Sequence, residues 1–180
     1  MTKNVAISVS KIDAAKRQLE TALRLYFSSE DPISIHTLAG AAFGILNDVS
    51  KSKELEIESF RDLMMKRAKP GQEEEMRFYL KRHENFFKHA DRVADANIDF
   101  NPSSTDWVLF DCICLYYALT QKNPPIMKAF HVWWQYSYRH LLKPEYQGQL
   151  EQFAKHQEYL SSRGTFFATV MPFFSRAYGS

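Results

Sequence analysis

Within KRHENFFKHADR, residues 81 to 92, an arginine, a carboxamide and an imidazole recur at Arg82, Asn85 and His89. At roughly 100° per residue, these three side chains fall within a span of roughly 60° on a helix. A guanidinium holds a phosphate bidentately, and an imidazole exchanges protons near neutral pH. A carboxamide orients either that imidazole or a ribose hydroxyl. Metal-independent RNA cleavage needs a base for the 2′-hydroxyl and positive charge for the pentavalent state. Arg82, His89 and Asn85 are therefore the candidate catalytic residues. Basic residues at a helix C-terminus also suit the helix dipole, which gives the same side chains a purely structural use.

The rest of that helix reads as packing. Met76, Leu80, His83 and Phe87 share the apolar face, with Tyr79, Phe86 and Ala90 beside them. His83 on this face reads as a hydrogen-bonded core histidine. His36 and Asp111 are two further polar candidates. Asp111 is the one charge in the apolar run from Trp107 to Leu119 and needs a partner, because an unpaired buried carboxylate is costly. His36, His83, Arg82 and Arg139 are the partners on offer, and structural pairing is the reading preferred over catalysis. A metal set of His36, His83, His89 and Asp111 fails on spacing, since His83 and His89 point about 120° apart on one helix. No phosphate loop, serine elbow or dinucleotide fingerprint is present, so no metal and no cofactor is expected. The run FHVWWQYSYRH, residues 130 to 140, has the residue types that stack bases, but aromatics at helical spacing read first as core.

The Arg82 to His89 spacing resembles the Arg-x(4–6)-His signature of the HEPN superfamily. The segments RQLETALRLYF and ISIHTLAGAAFGIL look like the opening hairpin of HEPN-like bundles, and NFFKHAD followed by FNP is similar to uncharacterised bacterial proteins of this kind. The resemblance covers about residues 11 to 120. It implies an up-and-down helical core, a homodimer, and RNA or nucleotide binding, with metal-independent ribonuclease activity in members that keep the motif. Members without the motif serve as non-catalytic modules that bind nucleotides or partner proteins, and that is the alternative here. The loop after the motif carries Asp91, Asp95 and Asp99, a local negative charge that opposes RNA.

These side chains must be positioned by helices. The 180 residues are 45% hydrophobic and 14% aromatic, which suits one globular domain with a real core. A net charge of +2 excludes nucleic-acid binding by bulk charge and confines any such site to a local patch. After a flexible stretch 1–10, apolar steps of three and four predict helices near 11–27, 32–50, 54–68, 72–90, 104–121 and 126–142, then a polar helix to about 162. No segment alternates with period two, so the expectation is an all-α bundle of about six to seven helices, 11–120 forming its core and 126–162 adding to it. In the second helix LAGAAFG suits a tight hairpin with the first. Cys112 and Cys114 are too badly placed to bridge and read as free buried thiols of a reducing compartment. With no signal-type apolar core at the start and no run long enough to span a bilayer, the expectation is a cytoplasmic protein with no membrane contact. The apolar tail 165–180, with Pro172 inside, is expected not to form a long regular helix and to cover either the bundle or, by preference, a second subunit.

Overall fold

The computed structural model describes residues 6–89, 95–143 and 161–176. It is an all-α bundle: seven α-helices and one 3-10 turn, with no strand among the described residues. Helix α1, Lys11–Phe27, starts where the Ser10 hydroxyl accepts the Asp13 amide at 3.1 Å. Its apolar steps bury Ala15, Leu19, Leu23 and Tyr26. Helix α2, Pro32–Ser52, begins at the Asp31 cap, whose carboxylate accepts the Ser34 amide at 2.8 Å. The four residues between them force an antiparallel pair, and α1 and α2 pack along their length.

Helix α5, Ser104–Thr120, lies on α2 and buries side chains nearly all round, from Val108 and Leu109 to Leu115 and Tyr116. It ends at Gln121, which takes a left-handed conformation with φ 55°. Helix α6, Pro125–Ser137, packs Ile126, Met127, Phe130 and Trp134 into the same core. In the run 130–140 Phe130 and Trp134 are buried, Val132, Trp133 and Tyr138 pack partly against the core, and Arg139 and His140 are exposed.

Three expectations about element shape are corrected. The third helix is only α3, Phe60–Lys66, because Ser59 and Asp62 form a reciprocal capping box and residues 55–59 precede it as non-helical chain. Helix α6 stops at Ser137, and Arg139–Leu141 form a single 3-10 turn. The tail does form a regular helix, α7, Arg163–Arg176, with Pro172 inside it. Its packing compensates for the missing amide hydrogen of proline: Phe166 is fully buried, and Phe167 stacks on Phe27 with ring centres 4.5 Å apart. The tail therefore covers α1 and α6 of its own bundle, although Phe173 remains outside. The polar helix expected before residue 162 falls largely outside the described residues.

Gly40 and Gly44 do not serve the α1–α2 hairpin as their small size suggested. A Cβ on Gly40 would lie 2.8 Å from Glu84 Cγ, so this glycine makes room for a side chain of α4, Glu73–Lys88. Gly44 faces open space.

Candidate functional site

Helix α4 opens on Glu73, Glu74 and Glu75 and closes on Lys88, the charge order that the helix dipole favours. It packs against α2 and α3. Glu84 is the one buried residue of this helix. Its carboxylate pairs with the Arg61 guanidinium from α3, itself buried and lying 4.2 Å from the centre of the Phe43 ring. Glu84, Arg61, Phe43 and Gly40 thus form one lock between α2, α3 and α4.

Beside the lock sits an aromatic box. His36 of α2 is buried, and its Nδ1 is 2.9 Å from the Thr105 hydroxyl of α5. Phe87 and Phe100 meet its ring edge-on at 5.8 and 5.0 Å. Burial, the largest cause, pushes the His36 imidazole down to about 4; Glu84 opposes the shift, and His83, Arg61 and Lys88 add to it. His83 stands 6.0 Å from His36, ring centre to ring centre. Its Nε2 is 3.0 Å from the Asp99 carbonyl, which only accepts, so Nε2 carries the hydrogen and Nδ1 is left as an acceptor.

Asp111 is buried on α5, and its partner is none of the four side chains proposed for it. Its Oδ1 accepts the Phe60 amide at 2.8 Å, satisfying the first orphan donor of α3 from another helix. Burial raises this carboxyl to about 6, against the pull of the Phe60 and Arg61 amides and the Arg61 charge. Asp111→Ala should cost about 1–3 kcal/mol, because a buried amide loses its acceptor. Chemical denaturation reads this directly, and a change under about 0.5 kcal/mol would be the behaviour of a surface carboxylate.

Between α3, α4 and α5 these groups leave a cleft of about 260 Å³, with Arg82, His83, His36, Asp111 and Ser104 among its lining residues. His36 and Asp111 therefore do share one site, each on its own partner. Asn85 and His89 do not line it. They are exposed on the outer arc of α4, and Arg82 lies between the two regions, half-buried. Among the described residues Arg82 makes no ion pair; its guanidinium sits 5.6 Å from the centre of the Tyr79 ring.

The outer arc differs from expectation in its aromatics. Tyr79 and Phe86, placed beside the buried face from the sequence, are exposed, as is Phe78, with Phe78 at 57% and Tyr79 at 53% exposure. With Arg82, Asn85 and His89 they occupy an arc of about 120°. The helix ends at His89, whose backbone is extended and whose amide bonds the Asn85 carbonyl at 3.0 Å. Asp91 lies outside the described residues. Arg139 is far from this arrangement in role: it donates to the Tyr136 carbonyl at 2.9 Å and covers the Tyr136 ring.

Three polar groups escaped the sequence reading. Glu84 had a signal, since it falls on the inner arc of α4 beside Leu80. Arg61 had half of one, lying inside the Ser59-x-x-Asp62 box. Asp106 had none. It is buried at the start of α5 and accepts the Tyr138 hydroxyl at 2.9 Å, while burial raises its carboxyl. Next to it Trp133 donates to the Tyr26 hydroxyl at 3.2 Å and Arg163 lies over the Tyr26 ring, which ties α1, α5, α6 and α7 together.

Both cysteines are free. Cys112 is buried with its thiol toward the Ala39 carbonyl, and Cys114 is half-buried on a second cleft, where burial and Asp111 raise it to about 11. Among the described residues no group of three or more His, Cys, Asp or Glu is arranged to hold a metal ion, and no helix is long and apolar enough to cross a membrane. Compared with family models, curated proteins and solved structures, the chain matches none of them.

Proposed function

We propose that this chain binds single-stranded RNA or a nucleotide along the outer arc of α4, and that Arg82 and His89 cleave the bound phosphodiester without a metal. One observation carries the reading: exposed aromatic rings alternate with Arg82, Asn85 and His89 on a single arc. Stacking rings interleaved with phosphate-binding cations are what a single strand needs, because each base has a face to stack and each linkage a charge to hold. Arg82 supports the role further, having no carboxylate among the described residues to neutralise it.

In the proposed reaction His89 takes the proton of the 2′-hydroxyl as the 2′-oxygen bonds to phosphorus. Arg82 holds the non-bridging oxygens while negative charge gathers on them. The bond to the 5′-oxygen breaks, and a protonated imidazole supplies that oxygen with its proton. The products are a 2′,3′-cyclic phosphate and a 5′-hydroxyl. A homodimer, which the HEPN resemblance implies, would bring two such sets together and supply both base and acid.

The same exposed rings favour a second reading, a non-catalytic module that dimerises or docks a partner protein through α4. Phe78 and Tyr79 are large apolar groups left uncovered, as at an interface core.

Cleavage of single-stranded RNA by wild type should survive EDTA and fall at least about a hundredfold in Arg82→Ala and in His89→Ala. Both variants should melt as wild type does, since neither side chain fills the core. Wild type that neither cuts nor binds RNA at low salt removes the enzymatic reading. In that event sedimentation of Phe78→Ser against wild type decides whether the arc is a dimer surface.

A further inference from the structure

The cleft behind α4 has a charge pattern unlike that of the outer arc. Arg61 is neutralised by Glu84, and the Asp111 carboxylate at the cleft accepts the Phe60 amide, so the interior offers rings and hydrogen-bonding groups with Arg82 at its rim. One wall is built by Trp107 and Phe60, stacked on each other at 4.8 Å and 28°, with Trp134 and Tyr138 also packed against the indole. Leu80 and Val108 add apolar surface. His83 retains its second nitrogen as an acceptor, and the Ser104 hydroxyl, donating to the Asn101 carbonyl at 2.8 Å, still accepts. Arg82 is the cation at this site without a carboxylate, and with Tyr79 it belongs both to the cleft and to the outer arc.

We infer that the cleft receives one unstacked nucleobase, with the phosphate attached to that nucleotide held by Arg82. Among the described residues a bare phosphate would find no second free cation there, and an acidic peptide would meet an aromatic interior. A planar heterocycle fits both the aromatic wall and the polar edge, as when proteins read splayed-out bases of single-stranded RNA. The volume, about 260 Å³, is below the range for a whole drug-sized ligand and suits one ring system of a longer chain. The inference rests on the RNA reading of α4 and adds to it a place where one base is distinguished from its neighbours.

The test uses the full chain and three probes: adenosine 5′-monophosphate, uridine 5′-monophosphate and ribose 5-phosphate. Binding is followed by tryptophan fluorescence, with Trp107→Phe assigning the signal to the cleft, and by calorimetry. At least one nucleotide should bind roughly tenfold or more tightly than ribose 5-phosphate, the share expected of base stacking. Ser104→Leu, which fills the cleft from its rim, should remove that preference. Leu80→Phe, which fills it from the opposite wall, should do the same if Ser104→Leu folds poorly. Equal binding of the base-bearing and base-free probes overturns the inference, as does wild-type nucleotide affinity in a folded cleft-filling variant. RNA held equally by wild type and Ser104→Leu, but released by Arg82→Ala, overturns the base pocket and leaves the outer-arc reading intact. Base-dependent nucleotide binding that Ser104→Leu abolishes supports the pocket even where no RNA is cut.

Discussion

Glu84→Ala should lower the free energy of unfolding by about 3–5 kcal/mol in urea denaturation at neutral pH. The loss is large because the substitution leaves Arg61 buried against Phe43 with no carboxylate, not because the ion pair itself is strong. Arg61→Met combined with Glu84→Leu should recover most of the loss, since two apolar side chains of similar size carry no desolvation penalty. Gly40→Val tests the same lock from α2: its side chain would occupy the space of the Glu84 stem and push the carboxylate off Arg61. A loss under about 1 kcal/mol in Glu84→Ala would mean that Arg61 reaches water in the folded chain.

The second large effect is set by pH. The folded chain holds His36 at about 4, below the ordinary value of 6.5, so between these values the unfolded chain binds a proton that the folded one refuses. Stability tied to His36 is therefore complete above pH 6.5 and lost as pH falls toward 4, a span of about 3 kcal/mol. Asp111 acts in the opposite sense over nearly the same window. Its carboxyl is raised from 3.8 to about 6, so the folded chain binds the extra proton and stability falls as pH rises through that range. Asp106 is raised as well and shares the sign of Asp111. The wild-type profile is thus a near-cancellation, and only differences expose its parts. The stability of wild type minus that of His36→Asn should grow by about 3 kcal/mol from pH 4 to pH 7, because asparagine keeps a bond to Thr105 without titrating. For Asp111→Asn the corresponding difference should shrink over the same range. A difference that stays flat for His36→Asn would show an imidazole that titrates as it does in water.

The helices were legible where apolar steps are dense. The stripes of α1, α2 and α5 are dictated by local spacing, and the bundle follows from burying them. Within α4 the register was legible enough to set His83 on the inner side and Arg82 at its border, while Asn85 and His89, read along the same border, are exposed. It misled for Tyr79 and Phe86, because periodicity ranks side chains by hydrophobicity alone. Glu84 falls on the inner arc beside Leu80, but the cation that pairs with it lies 23 residues away in sequence, and no local pattern names that partner. Asp111 was legible as buried but not as bonded, since its partner is a backbone amide whose position depends on where α3 begins. The start of α3 was written in the Ser59 box, although the apolar residues before it suggested a longer helix.

That short helix has a consequence for the order in which the chain folds. Seven residues are too few to hold a helix in isolation, where about 12–15 are marginal. Helix α3 therefore waits for the Asp111 acceptor, which arrives only when α5 has docked on α2. Arg61 in turn reaches Glu84 only from a formed α3, and Glu84 is the one buried residue of α4. The arc carrying Arg82, Asn85 and His89 is thus the last surface to be completed and the first to open. Amide hydrogens of α3 and α4 should exchange together and well before those of α1, α2 and α5, so that the bundle retains its centre while this face comes and goes.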